Sequence, residues 1–175
     1  MAVGHQYTMV VTENGVLWGC GVSHWGETGL GAIDRTSVPM RVGCAGNIFG
    51  EDGVRMTACG RRHTLIVGKD NRLWVCGCGD DMNLGTGNLY QVHPNNGVRV
   101  PTLNSNTDNF FNGNVMTVSA DYRHSVAVMR TGSVYTWGQH DFSHTGPFAS
   151  PCGTGHMTNV RLPTLVRMGG ILMGH

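Results

Sequence analysis

The chain has 175 residues with 40% hydrophobic side chains, and its 27 glycines follow no triplet period, so global disorder and a collagen-type fibre are excluded. Its 12 basic and 11 acidic residues leave a net charge of +1, without the electrostatic footprint of a strong nucleic-acid or anionic-membrane binder. No apolar run reaches the roughly 20 residues that a membrane helix requires. Met1–His5 also lacks the basic-then-apolar pattern of a secretion signal. The expectation is an intracellular protein, cytoplasmic or nuclear, whose six cysteines are reduced thiols.

In chain order the elements are short strands and tight turns. Val10-Val11 is followed by a turn at Glu13-Asn-Gly15 and a second β-rich run, Val16-Leu-Trp18. The pattern returns as Leu65-Ile-Val67, Lys69-Asp-Asn71 and Leu73-Trp-Val75, and again as Val126-Ala-Val128, Arg130-Thr-Gly132 and Val134-Tyr-Thr136. Two such runs around an Asn-Gly, Asp-Asn or Thr-Gly turn make a hairpin. Met56–Cys59 and Val115–Ala120 supply a further apolar segment ahead of the second and third hairpins. Pro39, Pro101 and Pro163, each after Val or Leu, mark a segment suited to an edge strand, where the missing N–H costs no ladder bond.

Self-similarity makes these elements one unit repeated. Residues 4–21, 60–77 and 121–138 superpose without a gap, and each copy then runs on to a further glycine, at Gly29, Gly85 and Gly146. Gly21, Gly77, Gly138 and these three fall at turns or where one backbone passes close to another. Three or four short strands per unit of about 60 residues fit a propeller blade better than a helical solenoid. The predicted fold is therefore all-β: one domain over 1–175 made of three blade repeats, approximately 1–55, 56–114 and 115–175, forming an incomplete propeller or an arc of antiparallel sheets.

Gly60-Arg-Arg-His-Thr64, Asn14-Gly15, Val134-Tyr-Thr-Trp-Gly138, Gly26-Glu-Thr-Gly29 and Asn83-Leu-Gly85 together resemble the motif of the regulator of chromosome condensation repeat family. The resemblance covers essentially the whole chain. The motif Trp is present only as Trp137, with Cys20 and Cys76 in its slot; the motif His is Tyr7 in the first unit and His63 and His124 in the others; Asp121 stands where the third unit should begin with Gly. The family's propellers are seven-bladed, so three units do not close a ring. Ala2–His5 resembles Leu172–His175, where a fourth unit would begin. The expectation is completion by the remainder of a longer chain or by self-association, since an open arc exposes strand edges.

Candidate chemistry is sparse. His140 and His144 have helical ligand spacing but lie in a Gly-bounded loop, and Cys76-Gly-Cys78 lacks the spacing of structural zinc, so no metal site is expected. Cys20 and Cys76 are read as small buried hydrophobes. A histidine repeated once per blade is a poor catalytic base; His63 and His124 are expected to bond a neighbouring blade's backbone, as are Thr8, Thr64 and Ser125. Lys69 is the sole lysine and is followed by Asp70, which excludes a P-loop, and the Gly-x-Gly pairs lack a third glycine. The carboxylate pairs Glu51-Asp52 and Asp80-Asp81 sit in turn contexts that face solvent. No cofactor and no enzymatic activity are expected.

Two positions ahead of the motif His vary: His5-Gln6, Arg61-Arg62 and Tyr122-Arg123. Repetition places these pairs in a row along one rim, and in the family that the chain resembles they project onto the face used for protein–protein contact. Arg and Tyr are also enriched at binding hot spots. Tyr90–Val100 reads as an extra hairpin around Asn95-Asn-Gly97, and Asn104–Asn114 as a polar loop with an apolar plug, Phe110-Phe111, which is either functional or packed under the blade. The leading expectation is a non-enzymatic protein-interaction module or scaffold with an unidentified protein partner. Resemblance to the family's founding member implies an alternative, nucleotide exchange on a Ran-like small GTPase, and chromatin binding is a third, poorly served by a net charge of +1.

Overall fold

The computed structural model describes residues 1–43, 48–49, 53–87, 97–104, 111, 113–139 and 159–166. Twelve strands run through them in three four-stranded antiparallel sheets, each made of four strands consecutive in the chain. The first holds β1 (Ala2–Val3), β2 (Tyr7–Val11), β3 (Leu17–Val22) and β4 (Arg35–Arg41). The second holds β5 (Val54–Cys59), β6 (His63–Gly68), β7 (Leu73–Gly77) and β8 (Val98–Leu103). The third holds β9 (Val115–Ala120), β10 (His124–Met129), β11 (Val134–Gly138) and β12 (Val160–Leu165). Pro39, Pro101 and Pro163 all lie on the edge strands β4, β8 and β12, as their missing N–H demands. Gly146, Cys44, Cys152, His140, His144, Glu51-Asp52, Phe110, residues 90–96 of the expected hairpin and Leu172–His175 lie outside the described residues.

The sheets stack face to face in an open series, with β1 beside β5 and β5 beside β9. Two cores fill the gaps. Between the first and second sheets lie Tyr7, Met9, Leu17, Val54, Cys59, Ile66 and Cys76. Between the second and third lie Leu65, Val67, Leu73, Val75, Leu84, Val118, Ala127 and Trp137. Successive strand residues point to opposite faces, so the middle sheet gives Ile66 to one core and Leu65 and Val67 to the other. That is why β6 is buried at every position while β10 alternates between buried and half-buried. Phe111 belongs to the second core, edge-on to Tyr135 at 4.9 Å, which settles the apolar plug as packing at that residue.

Glycine is obligatory at one repeated position. Gly21, Gly77 and Gly138 all have φ between 108° and 122°, and a Cβ there would collide with the carbonyl of Gln6, Arg62 or Arg123. The N–H of the next residue bonds that same carbonyl in every unit: Val22 to Gln6 at 2.8 Å, Cys78 to Arg62 at 2.8 Å and Gln139 to Arg123 at 3.1 Å. The chain thus turns out of its third strand while pinning the backbone of the rim.

Trp137 is fully buried, and its indole lies over Gly85 of the preceding sheet, where a Cβ would stand 2.8 Å from Nε1. Cys76 occupies the same slot one unit earlier and is also fully buried; Cys20, in the first unit, is only half-buried. Trp137→Ala should therefore cost roughly 3–5 kcal/mol in urea unfolding, the range for emptying a core aromatic, and Trp137→Phe distinctly less. A loss below about 1 kcal/mol for the Ala variant would show that the slot does not depend on the ring.

Candidate functional site

The rim pairs are hairpin tips. Cys59 pairs with Thr64 across β5 and β6, and the Gly60 N–H donates to the His63 carbonyl at 2.8 Å, which leaves Arg61-Arg62 as a two-residue loop. The same closure joins Gly4 to Tyr7 at 2.9 Å around His5-Gln6 and Asp121 to His124 at 3.1 Å around Tyr122-Arg123. One turn, repeated three times, thus carries all six candidate residues. The sequence signal for it was the fixed spacing ahead of the motif His.

The tips meet. The Arg61 guanidinium carbon lies 4.5 Å from the Tyr122 ring centroid and that of Arg123 lies 5.3 Å from it, so the phenol is flanked by two cations. Tyr122 is nevertheless 44% exposed. Arg62 stands 5.6 Å from the ring centroid of Trp25, which lies on the connection after β3. Asp81 takes the equivalent place one unit later, and its Oδ2 lies 3.8 Å from Arg123 Nε; Arg123 Nη1 also donates to Gln139 Oε1 at 3.1 Å. Asp81 is therefore half-buried and paired, contrary to the solvent-facing reading, because the next hairpin tip folds over it. Burial raises its pKa, and the Arg123 charge offsets this only in part. Trp25 and Gln139 carry no motif signature and were not singled out by sequence, and Asp81 was noted there only as a solvent-facing carboxylate.

Beneath the tips runs a buried hydrogen-bonded line. Thr64 Oγ1 donates at 2.6 Å to the Glu27 carbonyl, and the Cys76 thiol reaches the same oxygen at 3.4 Å. One unit on, Ser125 Oγ and Trp137 Nε1 each donate at 2.8 Å to the Asn83 carbonyl. The hydroxyls of Thr64 and Ser125 thus bond the neighbouring sheet's backbone as expected. The imidazole of His63 does not: Nε2 meets Ser125 Oγ at 2.9 Å and Nδ1 meets the Asn83 amide at 3.1 Å. Since Ser125 commits its proton to the carbonyl, Nε2 carries the imidazole proton and Nδ1 accepts. Tyr7, at the equivalent position, is long enough to reach past the hydroxyl; its OH donates to the His63 carbonyl at 2.5 Å and lies 3.1 Å from Thr64 Oγ1, whose proton goes to the Glu27 carbonyl. His124 is half-buried. Among the described residues no three His, Cys, Asp or Glu side chains are grouped to hold a metal, and no helix is long and apolar enough to cross a membrane.

Four antiparallel strands repeated three times, clamped unit to unit by a hydroxyl and an indole or thiol, define a protein of propeller-blade repeats. Family models described as the regulator of chromosome condensation (RCC1) repeat match residues 70–128 and residues 57–81. The chain belongs to this repeat family. It is 34% identical over 148 residues to the ultraviolet-B receptor UVR8 of Arabidopsis thaliana, covering 83% of this chain and 30% of that one. It is 29% identical over 152 residues to the guanine nucleotide exchange factor SRM1 of Saccharomyces cerevisiae, covering 79% of this chain and 29% of that one. The structure of Prp20p from Saccharomyces cerevisiae, described with its binding properties to Gsp1p and histones, aligns with a TM-score of 0.70 at 25% identity over 97% of this chain and 38% of that one. The chain thus spans less than a third of the length of these two curated relatives.

The buried line gives the fold a pH dependence. Burial, reinforced by the His124 charge, pushes the His63 imidazole down to about 3 from 6.5. A site with a depressed pKa binds fewer protons folded than unfolded, so its contribution is intact above about pH 6.5 and is lost progressively towards pH 3. Urea unfolding at pH 7 and pH 5 should show a loss of about 2 kcal/mol traceable to this residue. His63→Gln should be less stable at pH 7 and should lack that part of the slope; an unchanged slope would exclude His63 as its source.

Proposed function

We infer that this chain is a non-enzymatic protein-interaction module whose contact face is formed by His5, Gln6, Arg61, Arg62, Tyr122 and Arg123. The observation that carries this reading is the Arg61–Tyr122–Arg123 array. It is a partly exposed aromatic held between two guanidinium groups, on tips whose backbones are fixed by the repeated turn. Large side chains that are already ordered bind at low entropic cost, and the cations favour a partner with an acidic surface. The fold of the repeat family is consistent with the reading, and so is the absence of any recognisable catalytic constellation in the sequence.

A second reading rests on the relatives. SRM1 is named as a guanine nucleotide exchange factor, so release of labelled GDP from a Ran-like GTPase in the presence of this chain is the discriminating assay. Acceleration would replace the scaffold reading with exchange activity; the expectation is none. Chromatin binding is disfavoured by the net charge of +1.

The face reading is tested by Arg61→Ala combined with Arg62→Ala. Arg123 is less suitable, because its removal would strand the half-buried Asp81. Truncating a desolvated Arg costs roughly 2–5 kcal/mol of binding, so quantitative capture of partners on the immobilised chain should drop sharply. Loss of two partly exposed cation–π contacts costs about 0.5–1 kcal/mol each, which lowers the melting temperature by only a few degrees. Undiminished capture would remove this face from consideration, and a collapsed melting temperature would make the arginines structural.

A further inference from the structure

The two clefts between successive sheets are built from equivalent positions, and comparing them isolates one difference. Between the second and third sheets the cation is answered internally: Asp81 stands against Arg123. Between the first and second, Trp25 takes the place of Asp81 and Arg62 that of Arg123, so the guanidinium lies beside an indole. Among the described residues no ion pair involves Arg61 or Arg62. Glu27 lies buried at the floor of this cleft, where its Oε2 accepts from the Trp25 N–H at 2.8 Å; its charge interacts with that of Arg62, but the two side chains do not come within ion-pair distance. The space above it, bounded by His5, Gln6, Trp25, Arg61 and Arg62, measures about 270 Å³, ample for an acidic side chain.

Resting on the interaction face inferred above, we propose that this cleft receives one aspartate or glutamate side chain of a protein partner, its carboxylate paired with Arg62 and its methylenes lying on Trp25. The repeat itself supplies the template. Where the second unit carries its own carboxylate against the arginine, the first unit leaves that place to be filled from outside. An arginine edge presented beside an aromatic face suits a carboxylate, because the planar guanidinium can donate two parallel bonds while its other surface stays stacked. The indole meanwhile gives the ligand's stem an apolar wall. The sister cleft, already neutralised by Asp81, should not take the same ligand, so the face has one acidic socket and a defined orientation for whatever docks on it.

The experiment uses the tripeptide acetyl-Gly-Glu-Gly-amide, its Gln twin and its phosphoserine twin, titrated at constant ionic strength into the 15N-labelled chain. The readouts are the Trp25 indole N–H, assigned by its loss in Trp25→Phe, and the Gln6 side-chain amide. The Glu peptide should give a saturable shift with an affinity about tenfold above the Gln twin, the margin of a charge-assisted bond. Arg62→Gln should abolish that margin, and Lys69→Gln, on the opposite hairpin turn, should keep it. Trp25→Asp, which installs the counterpart of Asp81, should also abolish it at Gln6; should that variant misfold, as the rest of its spectrum will reveal, Arg62→Gln decides alone. Equal affinity for the Glu and Gln peptides, no saturable shift, persistence of the margin in Arg62→Gln, or binding of the phosphoserine peptide alone would each overturn the proposal. Capture lost in the Arg61/Arg62 double variant with no Glu preference here would sink the socket and leave the face. A Glu preference with undiminished capture would leave the socket and sink the face.

Discussion

One backbone oxygen in each of the first two units organises the structure. The carbonyl of Glu27, and that of Asn83 in the next unit, is buried between two sheets and takes two donors from the sheet that follows. A buried carbonyl left unpaired costs as much as a lost hydrogen bond, and among the described residues the donors that answer it come from the following sheet. Each sheet therefore needs its successor at one distance and one rotation, since a hydroxyl and an indole or thiol must converge on the same atom. Apolar burial between sheets supplies most of the driving force, but it is nondirectional. The oxygen sets the geometry.

The rim inherits that geometry. Tyr7 and His63, the residues that engage the next sheet, directly follow the hairpin tips, so the clamp that fixes the sheets also fixes the spacing of Arg61 to Tyr122 and of Arg62 to Trp25. The carbonyls of Gln6, Arg62 and Arg123 are each pinned from the strand behind. On the contact face inferred above, side chains held this way would lose little freedom on binding, which converts more of their contact energy into affinity. Adjacent residues of the same hairpins thus serve different ends: the side chains that follow the tips point between the sheets, and the tips point out.

Most of the fold was legible because the repeat shows three independent copies of one pattern. Strand order, the edge position of the prolines and the glycines at the end of the third strand all follow from that pattern and from local sterics. What was not legible depends on contacts between copies. Nothing in the sequence says that Trp25 and Asp81 answer the same question differently, because they are unlike residues in a connection that reads as solvent-facing. Asp81 was expected in water and lies half-buried against Arg123, since burial there is created by the next hairpin and not by its own neighbours in sequence. His63 was expected to reach a backbone group and instead meets the Ser125 hydroxyl, because that hydroxyl had already claimed the carbonyl. The shared hairpin-tip position of the six rim residues was legible from spacing, whereas the contacts of Arg61, Arg62 and Arg123 with aromatic rings required the distances.

The two seams between sheets are filled in opposite ways. At the first, a long phenol on the leading side, Tyr7, faces a small thiol, Cys76; at the second, the shorter imidazole of His63 faces the large indole of Trp137. The partners are not exchangeable. Joining the third unit directly to the first would set phenol against indole and overfill the seam, while Cys76 against an imidazole would leave a void, and close-packed interiors tolerate neither. Volume alone thus records which unit follows which. A chain with these units permuted would therefore pack poorly at its seams, which ties the linear order of the units to the stability of the stack.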